Sequence, residues 1–393
     1  MKTKNPFAIY KGLPKGIYII FVSRIIDNMG SVVMPMITLI LTQKIGFSKN
    51  ETGILATVFM LTQAPFLLLG GKLVDRIGCK KVIVIFNTLG ALAYIPCGFM
   101  RPHIAMALLI ALASNLFSVA APAYNAIVTE VAPQKQLKSA YSILYLGYNL
   151  GLAIGPALGG LLFNSHLQLL FFIDALTCII STTLFYFFVP DNAQIKKAKE
   201  ADKEKSAFNL NDPVYKFIFR SPELILFSVV LLGYNFCYSQ WGFMLPLQQA
   251  SIFMENGAKN YSLLVSVNAV AVILLTPVLT SITHKFRPLA VVATGGIFYT
   301  LAFLMFGGGQ ELSVFLFAAV VLTTGQILIN INTNIYIAQR TPQRFIGRAN
   351  SLLTIINGVG VAIGPIIMGH VLLHLSYESA WIFVAVLMLL GVA

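Results

Sequence analysis

Residues 71–81 read G-K-L-V-D-R-I-G-C-K-K, with five charged side chains set between uncharged apolar stretches at 52–70 and 82–99. Each flank has the roughly 20 residues that an α-helix needs to cross the hydrocarbon core of a bilayer. A soluble chain has little use for so charged a joint between two such runs. A chain that crosses lipid needs one at every return, because water reaches the backbone only outside the hydrocarbon. Counting outward from this joint gives the fold.

The chain has 393 residues, 57% of them hydrophobic and 10% charged, with a mean hydropathy of +0.81. Soluble domains carry about 25% charged residues, so lipid must solvate much of this surface. Hydropathy predicts twelve spanning helices near 16–41, 51–70, 81–99, 103–129, 138–163, 167–189, 222–246, 261–283, 288–307, 312–338, 347–373 and 377–393. The first helix serves as the insertion signal, and whether the native chain continues past Ala393 stays open. The expected fold class is an all-α membrane protein with its helices in two pseudo-symmetric bundles of six.

The net charge of +13 is distributed by topology. Of 27 Lys and Arg residues, 22 fall on one alternate set of loops and on the amino terminus. Lys44, Lys49, Arg101 and Lys259 fall on the other set, and Arg24 lies within a helix. This asymmetry predicts a multi-pass protein of a bacterial cytoplasmic membrane with both termini cytoplasmic. The basic excess then faces the lipid bilayer rather than nucleic acid. Cys79, Cys97, Cys178 and Cys237 have no metal-like spacing, and His370 and His374 have no third ligand nearby, so no metal site is expected.

The polar stretch 190–221 separates an amino-terminal bundle (1–189) from a carboxy-terminal bundle (222–393) and is read as a cytoplasmic linker. The halves repeat. A shift of 209 residues places Pro133 on Pro342, Ala140 on Ala349, Gly151 on Gly360, Gly155 on Gly364, Pro156 on Pro365 and Gly160 on Gly369. Duplicated bundles flanking a midplane site are the architecture of rocking secondary transporters.

The segment from Gly71 to Ile83 resembles the signature G-x-L-a-D-r-x-G-r-k-x-x-l of the major facilitator superfamily. Gly71, Leu73, Asp75, Arg76, Gly78, Lys80 and Ile83 match, and Cys79 replaces a usual basic residue. The resemblance implies an alternating-access transporter that works as a monomer on a small-molecule substrate. It makes Gly71, Asp75, Arg76, Gly78 and Lys80 a conformational latch. On the fifth helix, Gly151, Gly155, Pro156, Gly159 and Gly160 resemble G-x-x-x-G-P-x-x-G-G, which in this superfamily marks exporters and antiporters, the twelve-helix drug–proton antiporters among them. Drug antiporters usually carry an arginine early in the fourth helix; residues 111–117 read A-L-A-S-N-L-F and contain none.

The first helix offers charges instead. Arg24 and Asp27 are three apart and share a helix face. Asp27 lies about 16 Å from the helix start, near mid-membrane. An ionisable group at that depth costs roughly 2.5–3.5 kcal/mol on insertion scales, so it should face a cavity or a partner. Burial penalises an ionised carboxylate and a neighbouring guanidinium stabilises it; a site balanced between the two can take up and release protons. Asp27, Arg24 and Asp174 are the expected proton-coupling residues.

Polar and aromatic positions supply the expected substrate cavity: Tyr145, Tyr148, Asn149, Tyr234, Asn235, Tyr238, Trp241, Asn330 and Asn334. Such a lining suits amphipathic compounds and cations. The sequence has no phosphate-binding glycine loop and no nucleophile–base constellation. The expectation is therefore a transporter and not an enzyme, with no cofactor and a proton gradient as energy source. Its function is read as proton-coupled export of small amphipathic, drug-like molecules. The alternatives are an uptake symporter for a peptide, sugar or other metabolite, a lipid flippase, and a receptor or scaffold that keeps the fold without turnover.

Overall fold

The computed structural model describes residues 10–133, 136–189, 222–283, 285–340 and 346–392. Without water in the bilayer core each segment must satisfy its own backbone, and helices do so. Among the described residues there is no strand. The long helices are α1 (Lys15–Gly30), α2 (Lys49–Ile77), α3 (Cys79–Tyr94), α4 (Ile104–Val131), α5 (Leu137–Leu162) and α6 (Leu167–Phe188). They continue with α7 (Pro222–Ser239), α8 (Gly257–Thr283), α9 (Pro288–Gly308), α10 (Leu312–Arg340), α11 (Ile346–Val371) and α12 (Tyr377–Leu390). Nine stretches among the described residues are long and apolar enough to cross a membrane, and one of them, Pro222–Thr283, spans both α7 and α8. Apolar Gly358–Val371 and Tyr377–Leu390 are shorter. The expected linker at 190–221 lies outside the described residues.

By contact the chain forms two compact units. One joins the chain up to Ile37 with everything from Phe59 through α6; the other joins Thr38–Val58 with α7 to α12. In the first unit α1 packs on α5 and α6, and α3 on α4 and α6. Leu13, Ile17, Ile20, Val82, Ile83, Ile127 and Phe185 form part of its buried cluster. In the second, α7 packs on α11 and α9 on α10 and α12. Thr57 Oγ1 donates to the Ala362 carbonyl (2.7 Å) within that unit.

Two expected helices are interrupted. The first span, expected unbroken over 16–41, stops at Gly30 and resumes as a 3₁₀ turn (Met34–Met36), a short α segment (Ile37–Leu39) and a π segment (Ile40–Ile45). The seventh stops at Ser239 and resumes as Met244–Phe253. Gly30 and Ser239 are 209 residues apart, the same shift that aligns the glycines of α5 and α11. The interruption is thus a repeated feature of the fold, hidden from hydropathy because both sides of each break are apolar.

The charged joint is tighter than a hairpin loop. α2 runs on to Ile77 and α3 begins at Cys79, so Gly71 to Arg76 are helical and Gly78 alone makes the turn. Leu73, Val74 and Ile77 pack against the buried cluster, which keeps the extension helical while Lys72 and Arg76 stay exposed. Gly78 has φ +92°, a left-handed conformation that favours glycine. Its amide donates to the Val74 carbonyl (3.0 Å). Gly71 has open space around it and is not needed for close approach.

Candidate functional site

The first unit contains a partly open cavity of about 440 Å³ whose lining includes Arg24, Asp27, Asn87, Phe117, Tyr124 and Asp174. The three expected coupling residues therefore meet in one chamber. Arg24 is close enough to act electrostatically on Asp27 but forms no salt bridge with it. The Arg24 guanidinium instead sits 3.9 Å over the Tyr124 ring. The Tyr124 hydroxyl accepts from Asn87 Nδ2 (2.5 Å), and its ring meets Phe185 edge-on. Asp27 accepts from Ser181 Oγ (3.2 Å) on α6.

Asp174 is buried on α6 and has a different partner. The backbone amide of Val33, freed by the interruption of the first span, donates to its Oδ2 (3.2 Å). A carboxylate at the amino end of a resuming helix is electrostatically well placed. Gly30 fits at the preceding turn because a side chain there would run into Thr177 of α6.

The second unit has its own cavity of about 240 Å³, lined by Tyr234, Asn235, Tyr238, Tyr299, Gln326 and Asn330 among others. Tyr238 stacks on Tyr299, with centroids 5.7 Å apart. Asn268 Nδ2 donates to Thr323 Oγ1 (2.7 Å) and to Gln326 Oε1 (2.9 Å), holding Gln326 in the wall. Of the expected substrate residues, Tyr234, Asn235, Tyr238 and Asn330 are brought together here. Trp241 is buried beside Tyr261 and Phe306 rather than lining this cavity. Tyr145 and Tyr148 are exposed, and Asn149 is buried with its amide donating to the Tyr145 carbonyl (2.9 Å). The side chains of Asn334 and Asp75 lie outside the described residues.

Sequence reading missed Tyr124, Asn87, Phe117, Tyr299 and Gln326. The repeat carried a usable signal. Phe117, Ala121 and Tyr124 of α4 map by 209 residues onto Gln326, Asn330 and Thr333 of α10, and each trio lines its own unit's cavity.

The family model described as Major Facilitator Superfamily matches residues 19–361 and 257–393. This chain belongs to the major facilitator superfamily. It is 24% identical over 384 residues to the uncharacterized MFS-type transporter YttB of Bacillus subtilis (strain 168), covering 97% of this chain and 94% of that protein. It is 22% identical over 345 residues to a Na(+), Li(+), K(+)/H(+) antiporter of Planococcus maritimus, covering 81% of each. Its fold matches a crystal structure of the nucleoside transporter NupG with a TM-score of 0.76 at 15% identity, covering 96% of this chain and 97% of that one. The protein is a multi-pass integral membrane transporter and not an enzyme.

In this superfamily member the glycines of α5 have a definite task. Gly147, Gly151 and Gly155 face α1, where an added Cβ would lie 2.8 Å from Phe21 Cδ2, 2.6 Å from Asn28 Cβ and 2.7 Å from the Asn28 carbonyl oxygen. Small residues at four-residue spacing let the two backbones approach this closely. The same relation recurs in the second unit, where Gly360 of α11 leaves no room for a side chain against the backbone of Leu232 and Phe236 on α7. The motif thus sets the position of the helix that carries Arg24 and Asp27. Lys80 donates from Nζ to the Val189 carbonyl (2.7 Å), tying the start of α3 to the end of α6.

Proposed function

We propose that this protein is a secondary active transporter that exports small amphipathic, positively charged molecules in exchange for protons, with Asp27 as the exchanging group. The observation that carries the reading is the separation of Arg24 from Asp27 inside one cavity. The guanidinium is held on Tyr124, so the Asp27 carboxylate, which accepts from the Ser181 hydroxyl and the Cys178 thiol, has no salt-bridge partner among the described residues and can meet a positive charge that enters. Buried charge in a membrane protein marks a transport pathway more often than a static support. With Arg24 as one cation and Asp27 and Asp174 as two potential anions, the chamber has room for one more positive charge, either a proton or a cationic group of the substrate. Competition of those two for one carboxylate is the elementary logic of antiport. Phe117 and Tyr124 supply faces for the apolar part of such a molecule.

Asp174 is assigned to holding the interruption of the first span, Arg24 to setting the potential at Asp27, and the joint at Gly78 with Asp75, Arg76 and Lys80 to biasing the conformational equilibrium. Both termini are placed on the cytoplasmic side, where the basic loops lie, and the working unit is a monomer.

The test is transport by the purified full chain in proteoliposomes with an imposed pH gradient. A lipophilic cation should be driven against its gradient by the wild type, and Asp27→Asn should lose this coupling while keeping its fold. Full proton-driven transport by Asp27→Asn would overturn the assignment. The name of the Planococcus relative favours a second reading, exchange of monovalent metal cations for protons. Proton release on adding Na⁺ or K⁺, with none on adding organic cations, would establish it in place of the first. Uptake of a neutral or anionic metabolite with protons would replace both.

A further inference from the structure

Beyond the transport site, the first unit carries a groove between the start of α3 and the end of α6. It holds about 570 Å³ and is lined by Lys80, Lys81, Val84, Ile85, Tyr186 and Phe187. We propose that this groove is a binding site for an anionic phospholipid, with the headgroup phosphate on the two lysines and an acyl chain along Val84, Ile85 and Phe187.

The first argument is charge. Two ammonium groups line the groove and no carboxylate does. Glu130 of α4, which neighbours the start of α3, is engaged by Cys79 Sγ (3.1 Å) and is not part of the lining. Lys80 is fixed by its bond to the Val189 carbonyl and stands 5.4 Å over the Tyr186 ring, which leaves ammonium protons for a second acceptor. Lys81 is exposed.

The second argument is the apolar half of the groove. Ile85 is 45% exposed and Phe187 71% exposed, and Tyr186 and Phe187 meet edge-on with centroids 5.1 Å apart. In a protein that spans a bilayer, exposed aliphatic and aromatic side chains on adjoining helices face acyl chains. A tyrosine beside them marks the headgroup level, where aromatic rings with a polar tip settle. The groove therefore runs from a positive rim into an apolar wall, the order of parts in a phospholipid. Basic pockets between spanning helices are the kind of site that binds anionic headgroups.

The test is native mass spectrometry of the full chain in detergent, with phosphatidylglycerol, phosphatidylcholine or inorganic phosphate added, beside thermal-shift measurements under the same conditions. The expected result is retained phosphatidylglycerol adducts and a raised melting temperature with that lipid alone. Each lysine near an anionic headgroup contributes roughly fivefold in affinity, so Lys80→Gln with Lys81→Gln should weaken phosphatidylglycerol binding about 25-fold. Because Lys80 also ties α3 to α6, Lys81→Gln alone provides a milder variant, expected to lose about fivefold. Lys11→Gln with Lys15→Gln, at exposed positions outside the groove, should bind as the wild type does. Equal retention of phosphatidylcholine, equal loss in the Lys11 and Lys15 variant, or the same thermal shift from inorganic phosphate would overturn the proposal. None of these readouts depends on transport, so they stand or fall apart from the antiport reading.

Discussion

Val33 donates its backbone amide to Asp174 Oδ2 across 3.2 Å, joining residues 141 positions apart in the chain. The amide is available only because α1 stops at Gly30, and a buried amide left without an acceptor costs about 1–3 kcal/mol. Asp174 thus closes a backbone deficit that the interruption opens, and it does so three residues beyond the end of the helix that carries Asp27. The carboxylate thereby holds the local geometry of one wall of the chamber.

Asp174→Asn keeps an acceptor oxygen for the Val33 amide, whereas Asp174→Leu removes it. The asparagine variant should retain proton-driven transport and most of the wild-type melting temperature. The leucine variant should be destabilised by about 1–3 kcal/mol and lose transport. Thermal unfolding in detergent and proteoliposome transport check both. If the asparagine variant keeps its stability but loses its dependence on the pH gradient, Asp174 carries a proton and its positioning role is secondary.

The α5 glycines give a graded steric prediction. An added Cβ at Gly155 would lie 2.7 Å from the Asn28 carbonyl oxygen and 2.9 Å from that of Met29, and backbone cannot step aside cheaply. At Gly159 the nearest atoms are Val32 Cβ at 3.3 Å and the Val32 carbonyl oxygen at 3.5 Å, so a shift of a few tenths of an ångström makes room. Gly155→Ala should therefore cost about 1–3 kcal/mol and displace α1, while Gly159→Ala should be close to neutral. Melting temperatures of the two variants, measured side by side, decide the matter; equal effects would contradict the packing described.

These glycines are legible in the sequence because close backbone approach admits almost no other residue, and the approach is needed twice. The repeat preserves it as Gly151 with Gly360, whereas Gly364, the counterpart of Gly155, makes room for the Ser239 and Gln240 side chains. The joint at Gly78 is legible for another reason, the left-handed φ that favours glycine at the turn, although its length is not: Leu73, Val74 and Ile77 extend α2 by finding a buried face that hydropathy alone does not show. The interruption after Gly30 is hidden because its compensation, Asp174, is remote in sequence and the segments on both sides are apolar on average. Tyr124 and Asn87 are hidden because a single polar side chain on each of two helices acquires meaning only once the helices are packed.

Tyr124 should be separable into ring and hydroxyl. Tyr124→Phe leaves an aromatic face beneath Arg24 and removes only the acceptor for Asn87, so transport should fall by less than about threefold. Tyr124→Leu removes the face as well. A cation–π contact contributes about 0.5–2 kcal/mol, which corresponds to a loss of roughly 2- to 30-fold in transport. Initial rates in proteoliposomes, normalised to protein content, would show the order wild type, Phe, Leu. A leucine variant as active as wild type would mean that Arg24 does not depend on this ring.

The two cavities differ in charge, and this difference predicts a division of labour. Shifting Arg24 and Asp27 by 209 residues gives Gly233 and Phe236, so the second repeat carries neither ion at those positions. Its cavity is instead uncharged, with Tyr234, Asn235, Tyr238, Gln326 and Asn330 among its polar lining. Such groups can hydrogen-bond a substrate but cannot exchange a proton near neutral pH. Asn330→Ala and Gln326→Ala should therefore raise the apparent KM by about 2- to 12-fold, the range for one lost neutral hydrogen bond, while transport keeps the same dependence on the pH gradient. Asp27→Asn should remove the gradient dependence, and it should also weaken binding of a cationic substrate, because that group competes with the proton for this carboxylate. Equilibrium binding of a labelled substrate, measured beside gradient-driven transport for all three variants, separates the outcomes. Loss of gradient dependence in the Asn330 or Gln326 variants would place proton coupling in the second repeat as well and end the assignment of that chemistry to the first.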